Sequence, residues 1–174
     1  MSHASTWPLA ALVALTSGAV PRSVYTPLTT GACTTVELNA DEGWSTQRCP
    51  GTAGYTLLVH EDDARQSIDV VAPGGAAYPL DYWSVVTSAF SVVGERAEWR
   101  VEGTGRRARP VALTVRVTAQ TGEEPVRYTS MLAVARVSAA GAGVTDVILA
   151  SADMNARARR AADRSAGRPC LVRP

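Results

Sequence analysis

His60 is the one histidine outside residues 1–19, and Glu61, Asp62 and Asp63 follow it directly. An imidazole beside carboxylates can serve as a general base, and the same group could hold a cation. A histidine closing a strand before a solvated acidic turn has the same sequence, because charge gathers at hairpin turns without further cause. The turn reading is adopted. Calcium loops set oxygen ligands at alternate positions around a central glycine, and His60–Arg65 lacks that pattern. A hydrolase would have to be built on His60 with Glu61, Asp62 and Asp63. No G-x-S-x-G occurs, and Gly103-Thr104-Gly105 runs into arginines instead of a phosphate-binding helix. No catalytic residue, cofactor or metal is therefore assigned.

Cys33, Cys49 and Cys170 are the three cysteines. With His3 and His60 they lack the spacing of a zinc site. Cys33 and Cys49 both flank turn-like sequence, Gly31-Ala32 before one and Pro50-Gly51 after the other. A bridge between them would close a short loop and contribute about 3 kcal/mol in the chain-entropy account. Pairing Cys49 with His60 as a thiol nucleophile would forfeit that bridge. Cys170 is left over, free or paired between chains. Disulfides belong to oxidising compartments. Residues 1–19 agree with export: they carry no charged side chain, and Leu9–Val20 is largely apolar with Ser17-Gly18-Ala19 at its end. That is the form of a signal peptide, although Lys and Arg are missing before the apolar run. Thr30-Gly31-Ala32-Cys33 lies too far beyond the run to serve for lipid attachment. The expectation is a signal peptide over 1–19, one domain over 20–174, and a periplasmic or secreted protein.

Composition narrows the class further. The chain has 174 residues, 46% of them hydrophobic, and a net charge of +1. Disorder is excluded as the main state, and a polybasic nucleic-acid binder is not expected at a pI near 7.8. No apolar run reaches the ~18 residues of a membrane span. Every one of the 17 basic residues is arginine. Two groups of them stand out, Arg106, Arg107 and Arg109 in one loop and six between Arg157 and Arg173. They could meet a polyanion, but no aromatics interleave them, so they are read as solvated.

The elements that must position these groups follow a period of two. Strands are expected at 34–39, 55–60, 66–71, 96–102, 110–120, 127–138 and 144–150, with 80–93 ambiguous. Ala97, Trp99 and Val101 share one face of their strand, and Arg96, Glu98, Arg100 and Glu102 share an opposite face read as solvated. Asp41–Gly54 is read as a loop, rich in Gly, Ser, Thr and Pro. Trp44, Trp83 and Trp99 are read as core. Only the end is helical, from Asp153 or Asn155 to about Ala166, with Gly167 as terminator. The fold class is α+β: an antiparallel meander of about six to seven strands with one C-terminal α-helix.

Cys49-Pro50-Gly51 with Gly54-Tyr55, then Glu98-Trp99-Arg100, then Asn155-Ala156 with Ala158-Arg159-Arg160 and the late Cys170, form a set. Over about residues 25–170 the chain resembles a group of small exported proteins of Gram-negative bacteria that have no assigned activity. The resemblance implies export and the Cys33–Cys49 bridge. It also implies a further cysteine just before the C-terminal helix as partner of the late one. Val144–Ala150 contains none, so Cys170 lacks that partner. The functional expectation is a non-enzymatic exported domain that binds an unidentified protein or envelope component. Two alternatives stand beside it: the His60 hydrolase, and an inhibitor-like module presenting Asp41–Gly54.

Overall fold

A computed structural model describes residues 20–172. The expected signal segment 1–19 lies outside the described residues. The chain runs β1 (Arg22–Pro27), β2 (Thr34–Asn39), β3 (Trp44–Pro50), β4 (Thr56–Asp62), β5 (Arg65–Val71), β6 (Ala77–Pro79), α1 (Tyr82–Val85), β7 (Ser91–Glu102), β8 (Arg109–Glu123), β9 (Val126–Ser138), β10 (Gly141–Leu149) and α2 (Met154–Ala162). The class is as expected, a mostly antiparallel sheet with a C-terminal helix. The strand count is not: ten strands form among the described residues, against six to seven expected.

The three additional strands are β1, β3 and β6. None carries an apolar alternation. Each is a strand because it has a partner: β1 pairs with β7, β3 lies between β2 and β4, and β6 pairs with β5. Long-range pairing overrides local composition here. Asp41–Gly54 is accordingly no free loop. Half of it is β3, and the Cys33–Cys49 disulfide pins it to the segment before β2. Within 80–93 the chain makes the single turn of α1 and then enters β7.

The order is β10-β9-β8-β7-β5-β4-β3-β2. Two meanders, β2–β5 and β7–β10, are joined by one parallel bridge between Arg65 and Ser91. The sheet curls over itself: Tyr78, in β6, donates its hydroxyl to the Ala139 carbonyl at the β9–β10 turn, 3.3 Å away. The main core fills the space enclosed. It takes Leu57, Ile68 and Val70 from one meander and Trp99, Leu113, Val115, Val117 and Ala133 from the other, all essentially buried. Trp99 donates its indole N–H to Thr26 Oγ1 at 2.9 Å, so the buried donor is satisfied.

A second cluster lies on the opposite face of β8–β10, beneath α2. Ala158, Ala161 and Ala162 pack with Met154 on Ala112, Leu132, Val134 and Ile148. Small side chains let the helix approach closely. The β7 face that carries Arg96, Glu98, Arg100 and Glu102 is therefore not wholly solvated. Arg100 is 7% exposed and donates to both carboxylate oxygens of Asp163, at 2.6 and 3.1 Å, and to Ser23 Oγ at 2.7 Å. Glu98 accepts from Arg159 Nε at 2.6 Å and Ser23 Oγ at 2.5 Å. The helix ends earlier than expected, at Ala162. Ser165 then donates its hydroxyl to the Ala162 carbonyl, and Ser165–Gly167 forms a 3-10 turn.

Candidate functional site

β4 and β5 form a hairpin closed by two residues, Asp63 and Ala64, both at positive φ (50° and 54°). That is the backbone of a type I′ turn, whose twist matches the strands. The tight turn fixes the register, and with it the chemistry. Thr46 of β3, His60 of β4 and Ser67 of β5 sit side by side across three strands. Leu57 and Val59 point to the core, so His60 points to the outer face.

That face is not open water. The chain from Pro79 to Trp83 crosses it. Ser67 accepts from the Tyr82 backbone N–H at 3.0 Å, and Tyr82 itself is 1% exposed. Burial pushes the pKa of its hydroxyl well above the ordinary phenol range. Between this segment and the strands is a cavity of about 600 Å³. Trp44, Thr46, His60, Glu61, Asp62, Ser67, Asp69, Asp81 and Trp83 contribute to its lining. The volume falls in the range of small-molecule sites, about 300–1,000 Å³.

His60 is held at both ring nitrogens. Nε2 lies 3.0 Å from Asp69 Oδ2, and Nδ1 lies 3.1 Å from Thr46 Oγ1. The hydrogen bond to Asp69 holds the imidazole pKa above its ordinary 6.5, against partial burial that lowers it. The arrangement is a hydroxyl–imidazole–carboxylate relay. It orients the ring and lets it carry a proton at the cavity wall.

The acidic run divides. Glu61 and Asp62 reach the cavity, and Glu61 accepts from Gln66 Nε2 at 2.9 Å. Asp63 stays in the turn, paired with Arg65 at 3.3 Å. None of the three touches His60. The carboxylate that does is Asp69, which the sequence reading missed. No local signal marked it, because Asp69 alternates with Ile68 and Val70 as an ordinary outward residue of a half-buried strand. Trp44 and Trp83, read as core, line the cavity, whereas Trp99 is core. Trp44 donates its indole N–H to Glu42 at 2.9 Å. The Trp83 indole N–H is buried with no partner among the described residues, and the Arg65 guanidinium lies 5.9 Å from its ring centroid.

The other candidates lie elsewhere. Cys49 is in the disulfide, so it offers no thiol. Cys170 is a free, half-buried thiol against Gly143. Arg106 and Arg107 sit in a 3-10 turn, and Arg109 pairs with Glu102 at 2.6 Å. Around α2, Arg159, Arg160 and Arg168 are in ion pairs with Glu98, Asp153 and Asp146. Among the described residues no His, Cys, Asp and Glu group is placed to hold a metal, and no helix is long and apolar enough to cross a membrane. The disulfide is compatible with an oxidising compartment. Compared with family models, curated proteins and solved structures, the chain matches none.

Proposed function

We propose that this protein is an exported, non-enzymatic binding domain, periplasmic or secreted, whose cavity between β3–β5 and the Pro79–Trp83 segment takes a small ligand or a protruding group of an envelope component. One observation carries the reading: a cavity of about 600 Å³ joins two indoles to an oriented His60–Asp69 pair. Apolar walls with a few fixed polar groups are the makeup of a ligand site. Export is supported by the Cys33–Cys49 bridge, by the apolar character of residues 1–19 and by the resemblance to exported proteins. The test is a thermal-shift screen of the purified protein against small polar and charged compounds. A stabilising compound whose effect disappears in Trp44→Ala is expected. Stabilisation that survives Trp44→Ala and His60→Gln would place binding elsewhere and overturn the assignment.

The relay supports a second reading. A hydroxyl, an imidazole and a carboxylate in line are the parts of nucleophilic catalysis. Thr46 would be the nucleophile, His60 the base and Asp69 the orienting group. Thr46 is 5% exposed, which opposes attack on a substrate. Turnover of ester, glycoside or peptide substrates that is lost in both Thr46→Ala and His60→Ala would establish the hydrolase. Absence of turnover across those classes would leave the relay as a structural clamp.

A further inference from the structure

The cavity has a charge that the chain as a whole does not. Net charge is +1, and arginines outnumber every other charged type. Yet no arginine lines the cavity among the described residues, while Glu61, Asp62, Asp69 and Asp81 all do. Asp69 is engaged with His60. The other three form no ion pair among the described residues: Glu61 accepts from the neutral amide of Gln66, Asp81 accepts from the Ser84 hydroxyl at 2.8 Å, and Arg65, opposite Asp62 in the hairpin, pairs with Asp63 instead. Carboxylates left without a counter-charge around a concave, partly apolar site lower the potential inside it, because the low-dielectric walls focus the field.

The other walls are the indoles of Trp44 and Trp83. An indole face attracts cations through its quadrupole, most strongly among the aromatic side chains. Trp83 already has one such neighbour, Arg65, which is not part of the cavity lining. Aromatic faces and unpaired carboxylates in one cavity select the same chemistry from two directions.

We infer that the cavity binds a small organic cation, an ammonium or guanidinium group, set against the two indoles with Asp62 and Asp81 as counter-charges. The inference rests on the proposed binding role of the cavity and names its ligand class. A neutral sugar is the competitor. It would stack its C–H face on the same indoles.

Asp81 permits a clean perturbation. It sits in the left-handed region at φ 47°, which asparagine tolerates about as well as aspartate. Asp81→Asn thus removes charge and keeps the backbone. The experiment is isothermal titration of the purified full chain with spermidine, arginine methyl ester and tetramethylammonium, and with glucose and N-acetylglucosamine as neutral probes. At least one cation should bind, and its affinity should fall as salt rises. Asp81→Asn and Asp62→Asn should each weaken that binding by about threefold to fivefold. Trp44→Ala should weaken it by about tenfold. Far-ultraviolet circular dichroism unchanged in each variant keeps loss of binding separate from loss of fold. Sugar binding that Trp44→Ala removes, with no cation bound, would overturn the cation inference and leave the cavity as a binding site. No binding by either class would overturn both. Cation binding indifferent to Asp81→Asn and Asp62→Asn would place the cation outside the cavity and overturn the inference.

Discussion

Asp163→Ala should cost far more than a surface ion pair is worth. Asp163 follows α2 directly and takes two hydrogen bonds from Arg100, at 2.6 and 3.1 Å. Arg100 is 7% exposed, and the Asp163 side chain is 31% exposed. Removing one partner of a buried pair costs about 3–5 kcal/mol, because the remaining charge is stranded. Two facts reduce that figure. Asp163 is partly solvated, and Ser23 Oγ and the Pro21 carbonyl still accept from the guanidinium. The expected loss is about 2–3 kcal/mol. Asp163→Asn keeps an acceptor and should lose about half as much. Urea unfolding followed by tryptophan fluorescence reads both, with an unchanged m-value showing that the native surface is intact. A loss below about 1 kcal/mol is the signature of a solvated pair. It would refute the claim that Arg100 is buried in a pair with Asp163.

Three further outcomes follow from the same geometry. Ala64 holds φ 54° in the β4–β5 turn, which an L-residue with a β-carbon disfavours, so Ala64→Gly should stabilise the hairpin by about 0.5–1 kcal/mol in urea unfolding. His60 has a folded pKa raised above 6.5 by Asp69, so its contribution to stability is full below about 6.5 and is lost as pH rises through the folded value; His60→Gln should remove that part of the urea midpoint's pH dependence. A β-carbon on Gly143 would lie 3.2 Å from the Cys170 β-carbon, slightly under the usual ~3.5–4.5 Å of a disulfide, so Gly143→Cys should form a second bridge after a small shift, read as loss of the alkylatable thiol by mass spectrometry.

How much of this was legible in the sequence depends on how each element earns its structure. β7 and β8 carry apolar side chains at every second position, and period two identifies a strand wherever one face is buried; β9 is apolar at each position from Met131 to Ala135, because the main core covers one face and α2 the other. The same rule misjudged the opposite face of β7. Alternating charge reads as solvent-facing, but Arg100 and Glu98 are matched by Asp163 and Arg159, 63 and 61 positions onward, and no local pattern encodes that. β3 and β1 were missed for a related reason. Their residues are polar and turn-like, and only the neighbours β2, β4 and β7 make them strands. The Cys33–Cys49 bridge was legible because short separation and flanking turns are local features. At the site, His60 was found and its partner was not. Adjacency in sequence favoured Glu61, Asp62 and Asp63, yet Glu61 points to the opposite face of the strand, and Asp62 and Asp63 lie at its end and in the turn. The partner had to come from the next strand, and Asp69, diagonal to His60 across the hairpin, supplies it. Trp44 and Trp83 have nothing in their sequence context to separate a cavity wall from a core position. The crossing of Pro79–Trp83 over β4 and β5 decides it.

The central claim is that the cavity beside His60 is a ligand site. Its most direct test is the indole N–H region of a two-dimensional nitrogen–proton spectrum, with signals assigned by single Trp→Phe variants, recorded while a compound found by the thermal-shift screen is added. The account predicts that the Trp44 and Trp83 signals move with the added compound and that Trp99, enclosed in the main core, stays fixed. Motion of neither cavity indole at saturating compound, or equal motion of Trp99, would contradict it.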